Sequence, residues 1–207
     1  MATLSFPPIV ESGVAAYALP GQKESGDRHI VRHWPGVVLI AAIDGLGHGD
    51  EAALAAKRAL SILMKANAQD SVIALLERCH EGLRSTRGVV MSVASIDSAQ
   101  GLMTWIGVGN VQGVIVRRSA TPGPAQQELL LRAGVVGAQL PPLQGAVLPI
   151  ARGDTLVFVT DGIRSGFADK LSALEPPQKS ADRILAEYCR GSDDALVVVT
   201  RYLEDQK

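Results

Sequence analysis

The segment VVLIAAIDGLGHGD at residues 37–50 decides how this chain of 207 residues folds. Its first seven residues are continuously apolar, which predicts a strand that is buried on both faces. Asp44 ends that run, and a loop with three glycines follows it. Residues 50–65 are then rich in Ala and Leu, with acidic residues in the first turn, which predicts a helix. The segment therefore predicts a buried strand that passes through a polar loop into a helix.

Nine further strands and two further helices are predicted around this unit. The strands follow from alternating or continuously apolar runs that end at turn residues. They lie at residues 10–19, 27–34, 88–96, 102–108, 111–117, 128–132, 146–150, 155–160 and 195–202. One helix begins at a capping residue, Asp70 or Ser71, and runs to residue 84, and the other spans residues 180–190. Residues 119–127 and 137–145 are Pro-containing and predict exposed loops.

The order of these elements favours one fold class. Strands and helices do not alternate strictly, so a doubly wound parallel sheet is not expected. Successive strands joined by tight turns indicate antiparallel pairing. Ten strands are too many for one open sheet in a chain of this length, and two stacked sheets bury them most simply. We therefore predict an α+β fold, a four-layer α-β-β-α sandwich of two mainly antiparallel sheets, with residues 1–207 forming a single domain.

Composition and charge exclude several function classes. Hydrophobic residues make up 47% and charged residues 20% of the chain, as in ordinary globular proteins. The net charge of -1 carries no basic excess, so no nucleic-acid partner is expected. The longest apolar run, residues 37–43, is far shorter than the ~20 residues that a membrane-spanning helix needs. No leader segment is recognised at the N-terminus, and we expect a cytoplasmic protein without a membrane partner.

Carboxylates follow or precede three separate apolar strands. Asp44 and Asp161 each come directly after a strand, and Asp193 comes just before another. A single Asp-Gly pair is ordinary turn chemistry, but three such sites would converge if the strands are neighbours. Converging carboxylates repel one another and need a neutralising partner. A hard divalent cation such as Mg²⁺ or Mn²⁺ fits oxygen ligands, and the Gly45 carbonyl could be one of them.

A nucleotide-binding loop is the alternative interpretation of residues 45–49, GLGHG. Glycine-rich loops before a helix bind phosphate groups. The glycine spacing here is G-x-G-x-G, whereas the dinucleotide fingerprint needs G-x-G-x-x-G, and the Lys-Ser/Thr pair of a phosphate loop is missing. The pattern therefore favours the metal interpretation.

Taken together, these motifs resemble the metal-dependent serine/threonine protein phosphatases (PPM type). The similar motifs are SGD at 25–27, AIDGLGHG at 42–49, GVGN at 107–110, TDG at 160–162 and SDDALVVV at 192–199. They occur in the family's order over nearly the whole chain. The short length and the form of the second motif resemble the bacterial branch, and within it the RsbX-type stressosome phosphatases.

The resemblance implies two Mn²⁺ or Mg²⁺ ions and assigns roles to particular residues. Asp44 resembles the carboxylate that bridges both ions, and Gly45 resembles the carbonyl ligand of one of them. Asp161 and Asp193 resemble the ligands of the other ion. Asp27 lies where the family has an acidic residue that takes part in catalysis through water or a further metal. His48 lies near the family's motif histidine at a different spacing, so a role in loop packing is expected for it.

The implied function is hydrolysis of phosphoserine or phosphothreonine by a water that both ions activate. The implied partners are phosphorylated scaffold and antagonist proteins of the stressosome. Gly26 stands where many members have a second acidic residue, and Leu196 replaces a usual Thr. The phosphate-binding Arg of larger members has no clear match, although Arg28 and Arg164 are nearby. These departures keep open an alternative, a weak or inactive phosphatase fold that only binds a signalling partner.

Overall fold

The computed structural model describes residues 6–22, 24–118 and 124–204. The strands, in chain order, are β1 (Val10–Tyr17), β2 (Asp27–Trp34), β3 (Val37–Gly45), β4 (Val89–Asp97), β5 (Leu102–Val108), β6 (Gln112–Val116), β7 (Gln126–Glu128), β8 (Leu131–Arg132), β9 (Ala146–Pro149), β10 (Thr155–Val159) and β11 (Ala195–Tyr202). The helices are α1 (Asp50–Leu63), α2 (Val72–Leu83) and α3 (Pro177–Tyr188), and a short 3-10 helix spans Phe167–Lys170.

The strands form two sheets. The first sheet has the order β1-β11-β10-β6-β7, and the second has the order β2-β3-β4-β5-β8, with β9 also paired to β5. The pairs are antiparallel except for β5 with β8, which is parallel. The prediction of two mainly antiparallel sheets is therefore confirmed.

Strand β3 shows how the layers are built. Its side chains alternate between two cores, because successive residues of a strand point to opposite faces. Val38, Ile40 and Ala42 join the apolar core between the two sheets. The residues between them, Leu39, Ala41 and Ile43, join a second core under α1 and α2. The continuous apolar run at 37–43 is thus explained by burial on both faces.

The outer layers complete the sandwich. Helices α1 and α2 cover the second sheet, and α3 with the short 3-10 helix covers the first sheet through a third apolar core. Ser71 caps α2, since its side chain accepts a hydrogen bond from the Ala74 N–H at 3.2 Å. The four-layer α-β-β-α arrangement is confirmed.

Two segments differ from the prediction. The expected strand at 128–132 is two short strands, because β7 pairs with β6 in the first sheet and β8 pairs with β5 in the second. Leu129 lies between them and enters the inter-sheet core, so the chain changes sheets there. Of the predicted loop at 119–127, residues 119–123 lie outside the described residues and the last two begin β7. Within the described ranges, no helix has the length and hydropathy to cross a bilayer.

Candidate metal centre

Strand pairing brings the predicted acidic residues to one end of the sandwich. Asp27 begins β2 and faces Asp44 of β3 directly across the antiparallel pair. In the other sheet, β10 and β11 are antiparallel neighbours, so Asp161 after β10 and Asp193 before β11 also lie at one end. Each sheet therefore contributes two carboxylates.

Two glycines allow the loops of the site to pack closely. A Cβ atom on Gly45 would lie 2.1 Å from the Ala52 carbonyl oxygen of α1. A Cβ atom on Gly162 would lie 1.9 Å from the Asp194 carbonyl oxygen. Neither position has room for a side chain, and this explains why an aspartate is followed by glycine in both motifs.

Asp194 is a structural part of the site. Its side chain is buried, and its two oxygens accept hydrogen bonds from the Leu19 N–H at 2.8 Å and the Gly26 N–H at 2.6 Å. Because these donors precede β2, Asp194 ties the loop between β1 and β2 to the start of β11. The sequence left the role of Asp194 open. In the structure its carboxylate holds the loop between β1 and β2 in place through two hydrogen bonds.

Thr160 links the two sheets beneath the carboxylates. Its hydroxyl donates to Asp27 Oδ2 at 2.7 Å and accepts from the Leu196 N–H at 2.8 Å. All three residues are buried. The hydroxyl therefore fixes one Asp27 oxygen, and sequence reasoning missed this contact because the two residues are far apart in the chain.

Asn110 is a second residue that the sequence did not assign to the site. Its Nδ2 donates to Asp161 Oδ2 at 2.9 Å. Both residues are exposed and line the same cleft. Asn110 ends the GVGN motif, and its amide orients the Asp161 carboxylate.

A cleft of about 280 Å³ lies at this end of the sandwich. Its wall combines carboxylates, backbone of the glycine loop and a few apolar side chains. The lining residues are Leu19, Asp44, Leu46, Gly47, His48, Val90, Asn110, Asp161, Ser192 and Asp193. No Lys or Arg is among them, so the described wall offers the acids no cationic side chain.

Burial and mutual repulsion make two of the acids weak. Burial, the largest cause, raises the pKa of Asp27 to about 7, although the Thr160 hydrogen bond lowers it. Burial likewise raises the pKa of Asp44 to about 8, and the charge of Asp27 is the next cause. The charges of three further carboxylates raise both values: Asp161, Asp193 and Asp194. The acids thus lie close enough for their charges to add to the effect of burial.

The donor set fits a hard divalent cation. Across residues 6–22, 24–118 and 124–204, no three acidic, His or Cys side chains already lie at the spacing of a bound ion. Ion binding would therefore have to draw the carboxylates together. Oxygen donors, burial and unrelieved negative charge are the conditions that favour Mg²⁺ or Mn²⁺. The chemistry of the cleft is consistent with the predicted metal ligands.

The remaining candidates have other contacts. His48 is exposed and lines the cleft. Arg28 donates to the Ser25 and Asp27 carbonyls at 2.7 Å each. Arg164 donates to the backbone at the end of α3, with Nη2 2.6 Å from the Glu187 carbonyl. Neither arginine lines the cleft.

The two departures from the family pattern have packing explanations. A Cβ atom on Gly26 would lie 3.3 Å from the Ala52 Cβ and 3.4 Å from Asp194 Oδ2. An acidic side chain there would be crowded and would face another carboxylate. Leu196 is buried in the core between the sheets. Both residues thus fit their surroundings.

Comparisons with known proteins agree with this architecture. The phosphoserine phosphatase RsbX of Bacillus subtilis (strain 168) is 28% identical over 95 residues, which is 46% of this chain and 47% of that protein. The match thus spans about half the length of this curated relative. The crystal structure of RsbX in complex with magnesium superposes with a TM-score of 0.83 at 19% identity, covering 98% of this chain and 100% of that chain.

A second solved structure has higher identity. It comes from work on "The bacterial stressosome: a modular system that has been adapted to control secondary messenger signaling" and is 29% identical, with a TM-score of 0.82. It covers 93% of this chain and 99% of the other. The family model described as Stage II sporulation protein E (SpoIIE) matches residues 35–203, which include Asp44, Asp161 and Asp193. Because this match extends over most of the sequence, the chain belongs to the SpoIIE family.

Proposed function

We propose that this protein is a metal-dependent protein serine/threonine phosphatase that acts on stressosome-type regulatory proteins. The observation that carries the proposal is that three carboxylates, of Asp44, Asp161 and Asp193, line one cleft, while Asp27 faces Asp44 across the strand pair. The chain as a single catalytic domain is part of the same proposal.

Asp44, Asp161, Asp193 and the Gly45 carbonyl would hold two divalent cations, Mn²⁺ or Mg²⁺. Such ions, when bound, activate water for attack on phosphorus and offset the charge that develops on the phosphoryl oxygens. Asp27 lies opposite Asp44 and is the candidate catalytic acid or base beside them.

The protein's own residues give these groups their orientation. Thr160 donates a hydrogen bond to one oxygen of Asp27 and so fixes the orientation of its carboxylate. Asn110 holds one oxygen of Asp161 in the same way. Asp194 fixes the loop that leads into Asp27. Preorganised donors of this kind reduce the rearrangement that the reaction needs.

The substrate class rests on the relatives. One relative is named a phosphoserine phosphatase, and a solved relative comes from work on the bacterial stressosome. We take phosphorylated scaffold and antagonist proteins of that type as the substrates of this chain. Substrates of that kind would put the enzyme in the cytoplasm.

A binding module without turnover is the second candidate. It was suggested by Gly26 and Leu196, which depart from the family pattern. Both positions have packing reasons that do not disturb the four carboxylates. The catalytic candidate is therefore the stronger of the two.

Hydrolysis of an aryl phosphate and of a phosphorylated stressosome protein tests the proposal. Release of phosphate should require Mn²⁺ or Mg²⁺, stop with a chelator, and fall at least 100-fold in Asp44→Asn and Asp193→Asn. Asp182→Asn is the matched control, since Asp182 is exposed on α3 and its carboxylate bonds to Gln178. Tight binding of the phosphoprotein with no metal-dependent release of phosphate would favour the binding module instead.

A further inference from the structure

The negative charge of the cleft is unfavourable for binding the phosphate group of the proposed substrate. Its described wall has three carboxylates, those of Asp44, Asp161 and Asp193, and no Lys or Arg. A phosphate dianion approaching carboxylates gains from a guanidinium, which can donate two parallel hydrogen bonds to it. Arg28 and Arg164 do not line the cleft and donate to backbone carbonyls.

Arg87 is placed at the edge of the cleft by backbone contacts. The Leu46 N–H donates to the Gly88 carbonyl at 3.1 Å, so the glycine loop lies beside residues 87–88. A Cβ atom on Gly47 would lie only 2.7 Å from Arg87 Nη1. Gly47 lines the cleft, so the guanidinium lies beside the glycine loop that forms part of the cleft wall. Arg87 itself lines a neighbouring cavity of about 340 Å³.

The present partner of Arg87 is Glu51 in the first turn of α1. Both side chains are more than half exposed, at 55% and 66%. An ion pair this exposed contributes little to stability, so a phosphate dianion can replace the carboxylate at little cost. Arg87 therefore lies near the cleft in an ion pair with Glu51 that a phosphate group could replace.

We propose that Arg87 binds the phosphoryl group of the substrate at the rim of the cleft, with Glu51 occupying the guanidinium when no substrate is present. This inference rests on the proposed phosphatase function and assigns the phosphate-binding arginine that the sequence left without a match. The ligand is a phosphate dianion, on a phosphoserine residue or as the free product.

The competing interpretation is that Arg87 and Glu51 are a purely structural pair. The two interpretations differ in the sign of one effect. If the pair is structural, removing either charge has the same consequence. If Glu51 competes with phosphate, its neutralisation strengthens phosphate binding while loss of Arg87 weakens it.

The test measures binding of inorganic phosphate by calorimetric titration at saturating Mg²⁺, beside the KM and kcat for an aryl phosphate and a phosphoserine peptide. The variants are Arg87→Ala, Arg87→Lys and Glu51→Gln. Arg84→Ala is the matched control, because Arg84 is an arginine of similar exposure that pairs with Glu81. Thermal unfolding of each variant shows whether it is folded.

We expect Arg87→Ala to weaken phosphate binding and raise KM about tenfold. Arg87→Lys should give an intermediate loss, because it keeps the charge without the forked donors. Glu51→Gln should strengthen phosphate binding about twofold, and Arg84→Ala should change neither. Equal effects on the peptide and on free phosphate would assign the contact to the phosphoryl group, and a loss confined to the peptide would overturn that assignment.

Two results would overturn the inference. One is a folded Arg87→Ala with the phosphate affinity of the unaltered protein, and the other is weaker phosphate binding in Glu51→Gln. Absence of turnover in the unaltered protein would instead overturn the proposed function, while the titration still decides the role of Arg87. A protein that binds no phosphate at all would refute the inference directly.

Discussion

Replacing the buried Asp194 with alanine should destabilise the protein substantially. The change removes two carboxylate acceptors and leaves the Leu19 and Gly26 N–H groups without their bonds of 2.8 and 2.6 Å. A hydrogen bond to a charged group contributes about 1.5–3 kcal/mol, so the two bonds set an upper range of about 3–6 kcal/mol. Removing this charge also relieves the Asp27 carboxyl, whose pKa it raises. We therefore expect a net loss of about 3 kcal/mol.

Urea denaturation in the presence of a chelator measures this loss without any contribution from bound ions. Asp193→Ala is the matched control at the neighbouring position. Asp193 is half-buried, and its Oδ1 accepts a bond from the Asp194 N–H at 2.8 Å. Its removal should cost less than about 1 kcal/mol, since the bond is local and partly exposed. Asp193→Ala should instead abolish the stabilisation that Mn²⁺ gives.

The reasoning is refuted if Asp194→Ala loses less than about 1 kcal/mol at an unchanged dependence on urea. It is equally refuted if the two alanine variants are destabilised to the same extent. Either outcome would mean that the loop before β2 does not depend on the buried carboxylate.

Three other perturbations test separate features. Since the carboxyls of Asp27 and Asp44 have pKa values raised from 3.8 to about 7 and about 8, their stabilising protonation is lost as pH rises. Chelator-treated protein should therefore lose unfolding free energy in urea between pH 5 and 8, and Mg²⁺ should restore it at pH 8; a flat profile would contradict the raised pKa values. Gly13→Ala should cost more than about 3 kcal/mol in the same assay, because a Cβ atom there would lie 2.2 Å from the α3 backbone; wild-type stability would show that α3 can move away. Burial raises the pKa of the Cys79 thiol to about 12, whereas Cys189 is half-exposed. A thiol reagent should modify Cys189 alone in the folded protein, and equal rates would contradict the buried position of Cys79.

Local patterns predicted most of the fold. The apolar run of β3, the alternating strands around it and the Ser71 cap each depend on residues that are close in the chain. The acidic ends of four strands also identified which side chains would meet. These features could be predicted because period and turn chemistry are properties of short segments.

Contacts between distant segments could not be predicted in this way. Thr160 reaches Asp27 across the two sheets, and Asn110, in the turn between β5 and β6, reaches Asp161 after β10. The split at 128–132 has the same origin, because strands of three and two residues carry too little pattern to show that the chain changes sheets. Arg87 was missed because its position follows from a space left by Gly47.

The division of the carboxylates between the sheets has a consequence for assembly of the molecule. Asp27 and Asp193 lie near opposite ends of the chain and belong to different sheets. No fragment limited to one sheet could carry the complete centre. A cation held there would act as a late cross-link, one that becomes available only after both halves have docked and that then opposes their separation.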